Sequence, residues 1–177
     1  MSGALEYQQE YETYEQINGR EYMMARPTVN HSRIARNIVG IFDRHLIGKT
    51  CEAFGKTDVY LSDKDYIIPD AMIVCNPDII TKKRIAGVPD LIVEILSPST
   101  SRRDRLEKLR LYKKYGVKEY WIVDPRGKSV EVYLLKEGSF ELENVYYPYS
   151  DEEWSEMDDE ERAEAETQKA MIEEEKA

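Results

Sequence analysis

The sequence predicts an α/β fold with a mixed central sheet flanked by helices, and three observations carry that prediction. Short apolar runs bounded by turn residues recur as strand signals: "DYIIPDAMIVC", "PDLIVEIL", "EYWIVD" and "SVEVYLL". Two other stretches, 31–47 and 101–116, repeat their apolar residues at helical spacing. The order helix, hairpin, strand, helix, strand, strand interleaves the two kinds of element, as an α/β domain requires.

The elements follow in chain order. "INGREYMMA" (17–25) holds the turn signal Asn18-Gly19 between short runs and reads as a hairpin or a strand entering the fold. Asn30 is the expected N-cap of a helix whose apolar side is Ile34, Ile38, Ile41, Phe42 and Leu46, with Gly48 placed to end it. Alternating residues 57–61, a polar turn at Ser62–Asp65 and the apolar run 66–75 read as one β-hairpin. A loop with Lys82-Lys83-Arg84 leads to a strand over 89–97. A helix over 101–116 closes at Gly116, and strands 119–124 and 129–135 follow, with Pro125 and Gly127 turning the chain between them.

At 177 residues the chain suits a single core-bearing domain. Its formal net charge of −10 is unevenly distributed. Residues 151–177 hold thirteen Asp/Glu and three Lys/Arg, which leaves 22 acids and 22 bases in residues 1–150. The body is therefore neutral overall and is judged on its patches. The domain is expected over 1–149. Residues 150–177 are expected to form an acidic helical or disordered tail, either simply solvated or used as a partner-binding or nucleic-acid-mimicking segment. Cys51 and Cys75 have no metal or redox spacing, and Cys75, ending an apolar run, reads as a small core residue. The polar, acidic N-terminus carries no signal-peptide pattern, and no apolar run approaches the roughly 18 residues of a membrane span. The expectation is a cytoplasmic protein with no membrane partner.

The chemistry concentrates in two strands. With period-two alternation, Asp90, Ile92, Glu94 and Leu96 share one face, while Leu91, Val93 and Ile95 share the other. In the run 66–75, Tyr66, Ile68, Asp70, Met72 and Val74 share a face. If these strands are neighbours, Asp70 and Glu94 converge, and two uncompensated buried carboxylates repel until one takes a proton. A divalent cation resolves that conflict, and oxygen ligands without His or Cys suit Mg²⁺ or Mn²⁺. The bland readings are a core ion pair for Glu94, a turn cap for Asp70 and a strand-entry residue for Asp90. On the following helix Asp104, Lys108, Leu111, Tyr112 and Tyr115 form one stripe. Lys108 on that stripe is either paired, with Asp104 one turn back, or snorkels to water. Eight Lys/Arg against two acids over 102–118, with Lys82, Lys83 and Arg84, make a surface that is either a phosphate track or simply solvated.

Asp70 in "IPDAMIV", Glu94 in "PDLIVEILSPST" and the run "RRDRLEKLRLYKKYGVKEYWIVDP" resemble the Uma-two family, restriction-endonuclease-like proteins of the PD-(D/E)XK nuclease superfamily. The resemblance spans roughly residues 15–135 and is most specific over 89–125. It implies a restriction-endonuclease-like αβββαβ core and hydrolysis of phosphodiester bonds by a metal-dependent endonuclease. Asp70 and Glu94 would be the metal ligands, for Mg²⁺ or Mn²⁺. The superfamily's lysine normally stands two residues after the second acid, where this chain has Leu96, and Lys108 matches the alternative family position on the helix. Glu15 resembles an N-terminal family acid that completes the metal site, and His31 matches a recurrent family histidine. DNA is the implied partner, with RNA as the other candidate, and cutting both strands implies two sites and hence a homodimer. After "VYLL" family members continue into further strands, whereas this chain is expected to run into its acidic tail. The competing expectation is a catalytically weak or inactive nuclease fold used as a binding or regulatory module, motivated by the displaced lysine, the tail and the neutral body.

Overall fold

The structure is a computed structural model and describes residues 13–148, 150–163 and 165. Its first element is a hairpin, β1 (Tyr14–Ile17) and β2 (Arg20–Met23). Asn18 and Gly19 both adopt positive φ, 52° and 79°, the left-handed pair that a two-residue hairpin turn needs. Helix α1 (Val29–His45) follows. Its N-cap is Thr28, whose hydroxyl accepts from the His31 amide, rather than Asn30, so the helix starts two residues earlier than expected. Ile34, Ile38, Ile41 and Phe42 are buried, the stripe that the spacing predicts.

The expected hairpin over 57–75 is divided. β4 (Val59–Ser62) pairs with β5 (Asp65–Ile67), and the chain then breaks at Ile68-Pro69-Asp70 before β6 (Ala71–Val74). Proline lacks a ladder donor, and here the chain leaves one sheet for another at it. β5 joins a four-stranded sheet of order β2-β1-β5-β4, while β6 enters a six-stranded sheet. The larger sheet has the order β10-β9-β8-β7-β6-β3, with β3 (Glu52–Phe54), β7 (Leu91–Ile95), β8 (Glu119–Asp124), β9 (Ser129–Lys136) and β10 (Ser139–Tyr146). Among the described strands of this sheet only β7 and β8 run parallel, and the helical segment between them makes the crossover. β3 and β10 are additions to the expected set. β10 lies within the expected domain, between the last expected strand at 129–135 and the tail expected from 150, so the chain continues into a further strand after "VYLL".

That crossover is α2 (Ser101–Arg103), a π-helical turn (Asp104–Lys108) and α3 (Leu109–Tyr115), closed by Gly116 at φ 77°. The expected single regular helix thus carries a wide turn, and Asp104 and Lys108 at its two ends both point inward. The core lies on both faces of the six-stranded sheet. On one face α1 packs on Ala71, Leu91, Val93, Ile95 and Val123. On the other, Met72, Ile92, Tyr120 and Ile122 pack with Leu111 and Tyr112 of α3 and with Ile17, Val59 and Ile67 of the smaller sheet. Each such aliphatic side chain contributes about 1.5–3 kcal/mol on burial.

Cys51 and Cys75 correct another expectation. They form a disulfide immediately beside the first β3–β6 pair, Glu52↔Val74, so Cys75 is a cross-link and not a free core thiol. Helix α4 (Asp151–Glu156) begins with a Ser150–Glu153 capping box. Of the expected tail, residue 164 and residues 166–177 lie outside the described residues. Among the described residues no helix is long and apolar enough to cross a membrane.

Candidate active site

The β6–β7 register pairs Ala71 with Val93 and Met72 with Ile92. Continued by one step, it sets Asp70 opposite Glu94. Glu94 lies on the Ile92 face of β7, toward α3 and the smaller sheet, as the alternation predicts. Asp70 stands at the break between the sheets, where its Oδ2 accepts from the Ile95 amide at 2.8 Å. Its Oδ1 is 2.7 Å from His31 Nε2, carried in by the first turn of α1, and 3.5 Å from Lys56 Nζ. β1 delivers Glu15, whose Oε1 accepts from the Ile68 amide at 3.0 Å.

Lys108 ties these pieces together. Its Nζ donates to Glu15 Oε1 and to Glu94 Oε1, both at 2.8 Å, and lies 3.7 Å from Asp104 Oδ1. It is 3% exposed, so the snorkelling reading is replaced by a buried ion network. The Tyr112 hydroxyl donates to the same Glu94 oxygen at 2.6 Å. Asp104, Lys108 and Tyr112 share the inward side, as their i, i+4, i+8 spacing predicts. The structure thus brings Glu15, Asp70, Glu94 and Lys108 to one cavity. Asp90 stays apart, accepting from the Cys75 amide and pairing with Lys118 at the strand entrance.

The electrostatics follow from four buried carboxylates, Glu15, Asp70, Glu94 and Asp104, around one buried ammonium. Burial pushes the Glu94 carboxyl well up; Lys108 opposes this, while the charges of Asp104, Glu15 and Asp70 add to it. Burial likewise raises Asp104 against the pull of Lys108. For Asp70 burial also works upward, but His31, the Ile95 amide and Lys56 outweigh it and hold the carboxyl below its ordinary value. Lys108 is desolvated, yet Glu15, Glu94 and Asp104 keep its ammonium charged far above neutrality. Burial and Glu94 keep the Tyr112 hydroxyl protonated, and so a donor.

These groups line a cavity of 600 Å³ whose wall also carries Arg26, Lys56, Arg103 and Arg126. Its floor is acidic and buried, and Lys56 and Arg126 bring positive charge to its open side. Among the described residues no three His, Cys, Asp or Glu side chains converge closely enough to hold an ion as they stand. The carboxylates nevertheless fit a hard cation, offering oxygen ligands around the one buried ammonium, with His31 and Lys56 beside Asp70. Lys56 and the role of Tyr112 as a donor were not read from the sequence, and Arg103, which helical spacing places on the solvent side opposite Lys108, lines the cavity instead. Tyr112 alone left a signal there, lying one turn beyond Lys108 on the same stripe.

Comparison with known proteins gives this arrangement a family. The model of the Uma2 family, described as "Putative restriction endonuclease", matches residues 4–164. The chain belongs to the Uma2 family. An uncharacterized protein of Synechocystis sp. is 32% identical over 126 residues, covering 69% of this chain and 66% of that relative's length. A crystal structure of a protein from Anabaena variabilis, described as a putative nuclease belonging to DUF820, superposes with a TM-score of 0.64. It is 23% identical, covers 78% of this chain and 79% of its own, and speaks for the shared fold. Uma2 membership puts the chain among restriction-endonuclease-like proteins.

Proposed function

We propose that the protein is a divalent-metal-dependent endonuclease acting on DNA, with Asp70 and Glu94 as the metal ligands and Glu15 and Lys108 completing the active site. One observation supports this reading above the others: a floor of four buried carboxylates around one buried lysine, in a cavity whose wall and open side carry cations. The floor has the charge deficit that a cation fills, and the surrounding cations suit a polyanion. Mg²⁺ or Mn²⁺ bound there would lower the pKa of a water and offset the charge developing on the phosphate. Asp70, kept ionised and fixed by the Ile95 amide, offers a preset carboxylate oxygen. Tyr112 orients Glu94 through Oε1, and the Ile68 amide holds Glu15. Lys108 carries a permanent positive charge that neutralises a phosphate oxygen or orients the attacking water. This work falls to residues 1–149, with 150–177 as an acidic appendage; a homodimer would supply two sites, and the setting is cytoplasmic.

Purified protein with Mg²⁺ or Mn²⁺ is expected to nick plasmid DNA. Asp70→Ala and Glu94→Ala should each abolish nicking, with circular dichroism unchanged. RNA cut in place of DNA would change the substrate and keep the site.

A second reading, the nuclease fold as a binding module, draws on the bonds from Lys108 to both Glu15 and Glu94, which leave the site internally paired. That reading takes over if the wild type binds DNA but never cuts it with either metal, and Glu94→Gln leaves binding unchanged.

A further inference from the structure

Among the cations of the cavity wall, Arg103 takes no part in the floor chemistry and is held in an unusual way. Arg103, at the end of α2, lines the same cavity as Asp70 and Glu94. Its guanidinium lies over the face of the Tyr22 ring, 4.8 Å from the centroid, and the Tyr22 hydroxyl is itself tied to Glu107. Arg103 Nε is buried and has no hydrogen-bond partner. Such exceptions are rare in folded proteins and call for an explanation.

Its neighbour Arg105 is different, being committed to Glu131 and, at 3.7 Å, to Asp124. An aromatic face holds a guanidinium in place without neutralising it. A carboxylate would have spent the charge. The result is an oriented fork of donors beside an acidic floor, and the ligand matching such a fork is a phosphate group.

We propose that Arg103 is a phosphate-binding residue, which grips a backbone phosphodiester of the nucleic-acid strand next to the one lying over Asp70 and Glu94. The identity of the polyanion rests on the nuclease reading above; the anion site itself does not.

The test is fluorescence anisotropy with a short fluorescein-labelled DNA duplex, Ca²⁺ replacing Mg²⁺ to suppress cleavage, over a range of salt. Arg103→Gln should weaken binding by about tenfold or more, as loss of a charged hydrogen bond does. It should also lower the slope of log K against log salt by about one. Arg103→Lys keeps the charge without the fork and should recover part of the loss. Arg102→Gln, at an exposed residue outside the cavity lining, should stay within about twofold of the wild type.

Wild-type affinity and slope in Arg103→Gln overturn the assignment. So does a loss of affinity with unchanged slope and a lowered melting temperature, the mark of a purely structural arginine. Absence of binding by the wild type to both this DNA duplex and an RNA of the same sequence overturns it too. The two readings fail separately. Arg103-dependent binding without any cleavage in Mg²⁺ or Mn²⁺ sinks the nuclease and keeps the phosphate site. Cleavage with an unchanged KM in Arg103→Gln does the reverse.

Discussion

Glu94 is the residue on which the energetics of the site turn. It sits in a strand whose every residue is buried, and burial plus three neighbouring carboxylates push its pKa up. Glu94→Gln keeps an acceptor for Lys108 and Tyr112 while removing one charge from the crowd. Its melting temperature in EDTA should therefore equal or exceed the wild type's, while the rise that Mn²⁺ gives the wild type disappears. Differential scanning fluorimetry with and without metal reads both. Lys108→Met is the opposite case, because it leaves Glu15 and Glu94 buried without their cation. It should cost about 3–5 kcal/mol in urea unfolding, the usual effect of removing one partner of a buried pair. Glu94 and its facing were legible from alternation alone. That Lys108 bonds two carboxylates at once was not, because Glu15 arrives from 93 residues away in sequence.

Among the elements, the smaller sheet is knotted to α3 through Asp65. This buried carboxylate accepts from the Asn18 amide, Lys114 Nζ and the Tyr115 hydroxyl, joining the first hairpin, β5 and the helix end. Burial works to raise its pKa, but the bonds from Tyr115, Asn18 and Lys114 outweigh that and hold it below the ordinary value. A depressed folded pKa gives stability that is present above the unfolded value, about 4, and lost as pH falls through the lower folded one. Asp65→Asn should thus cost about 1.5–3 kcal/mol at pH 7, with the gap to wild type closing below about pH 4. Urea melts across pH would reveal either behaviour.

The disulfide is the other cross-element tie, with a sequence separation of 24 between Cys51 and Cys75. Reduction by dithiothreitol, or the Cys51→Ser/Cys75→Ser double variant, should lower stability by about 3 kcal/mol, the chain-entropy value for such a loop. Neither tie could be read from local sequence, since Asp65 looks like any polar turn residue and cysteine spacing does not encode pairing. The division of 57–75 between two sheets was hidden likewise. Pro69 marks a break, but only the tertiary arrangement says where each half goes.

For the whole molecule the governing quantity is the distribution of charge. Residues 151–177 carry thirteen acids and three bases, and the rest of the chain is balanced at 22 and 22. If DNA enters the cavity, that acidic segment repels it at long range. Removing 151–177 should tighten DNA binding at low salt. The difference should vanish as the screening length falls from about 10 Å at 0.1 M to about 3 Å at 1 M. Anisotropy at two ionic strengths, with circular dichroism to confirm folding, measures the effect.

Local sequence carried the two faces of β7, the apolar stripe of α1, the Asn18-Gly19 turn and the acidic excess of residues 151–177. Those are local properties, set by a repeat of two or 3.6 residues and by composition. The tertiary structure decided which charges meet. Glu15, Asp70, Glu94 and Lys108 come from β1, the break before β6, β7 and the wide turn of the crossover helix. Their meeting depends on how two sheets and a helix pack, which no single segment specifies. Lys108 reaches Glu94 because the chain folds back over β7. Burial then gives each charge in that cluster an energetic effect that it would not have on the surface.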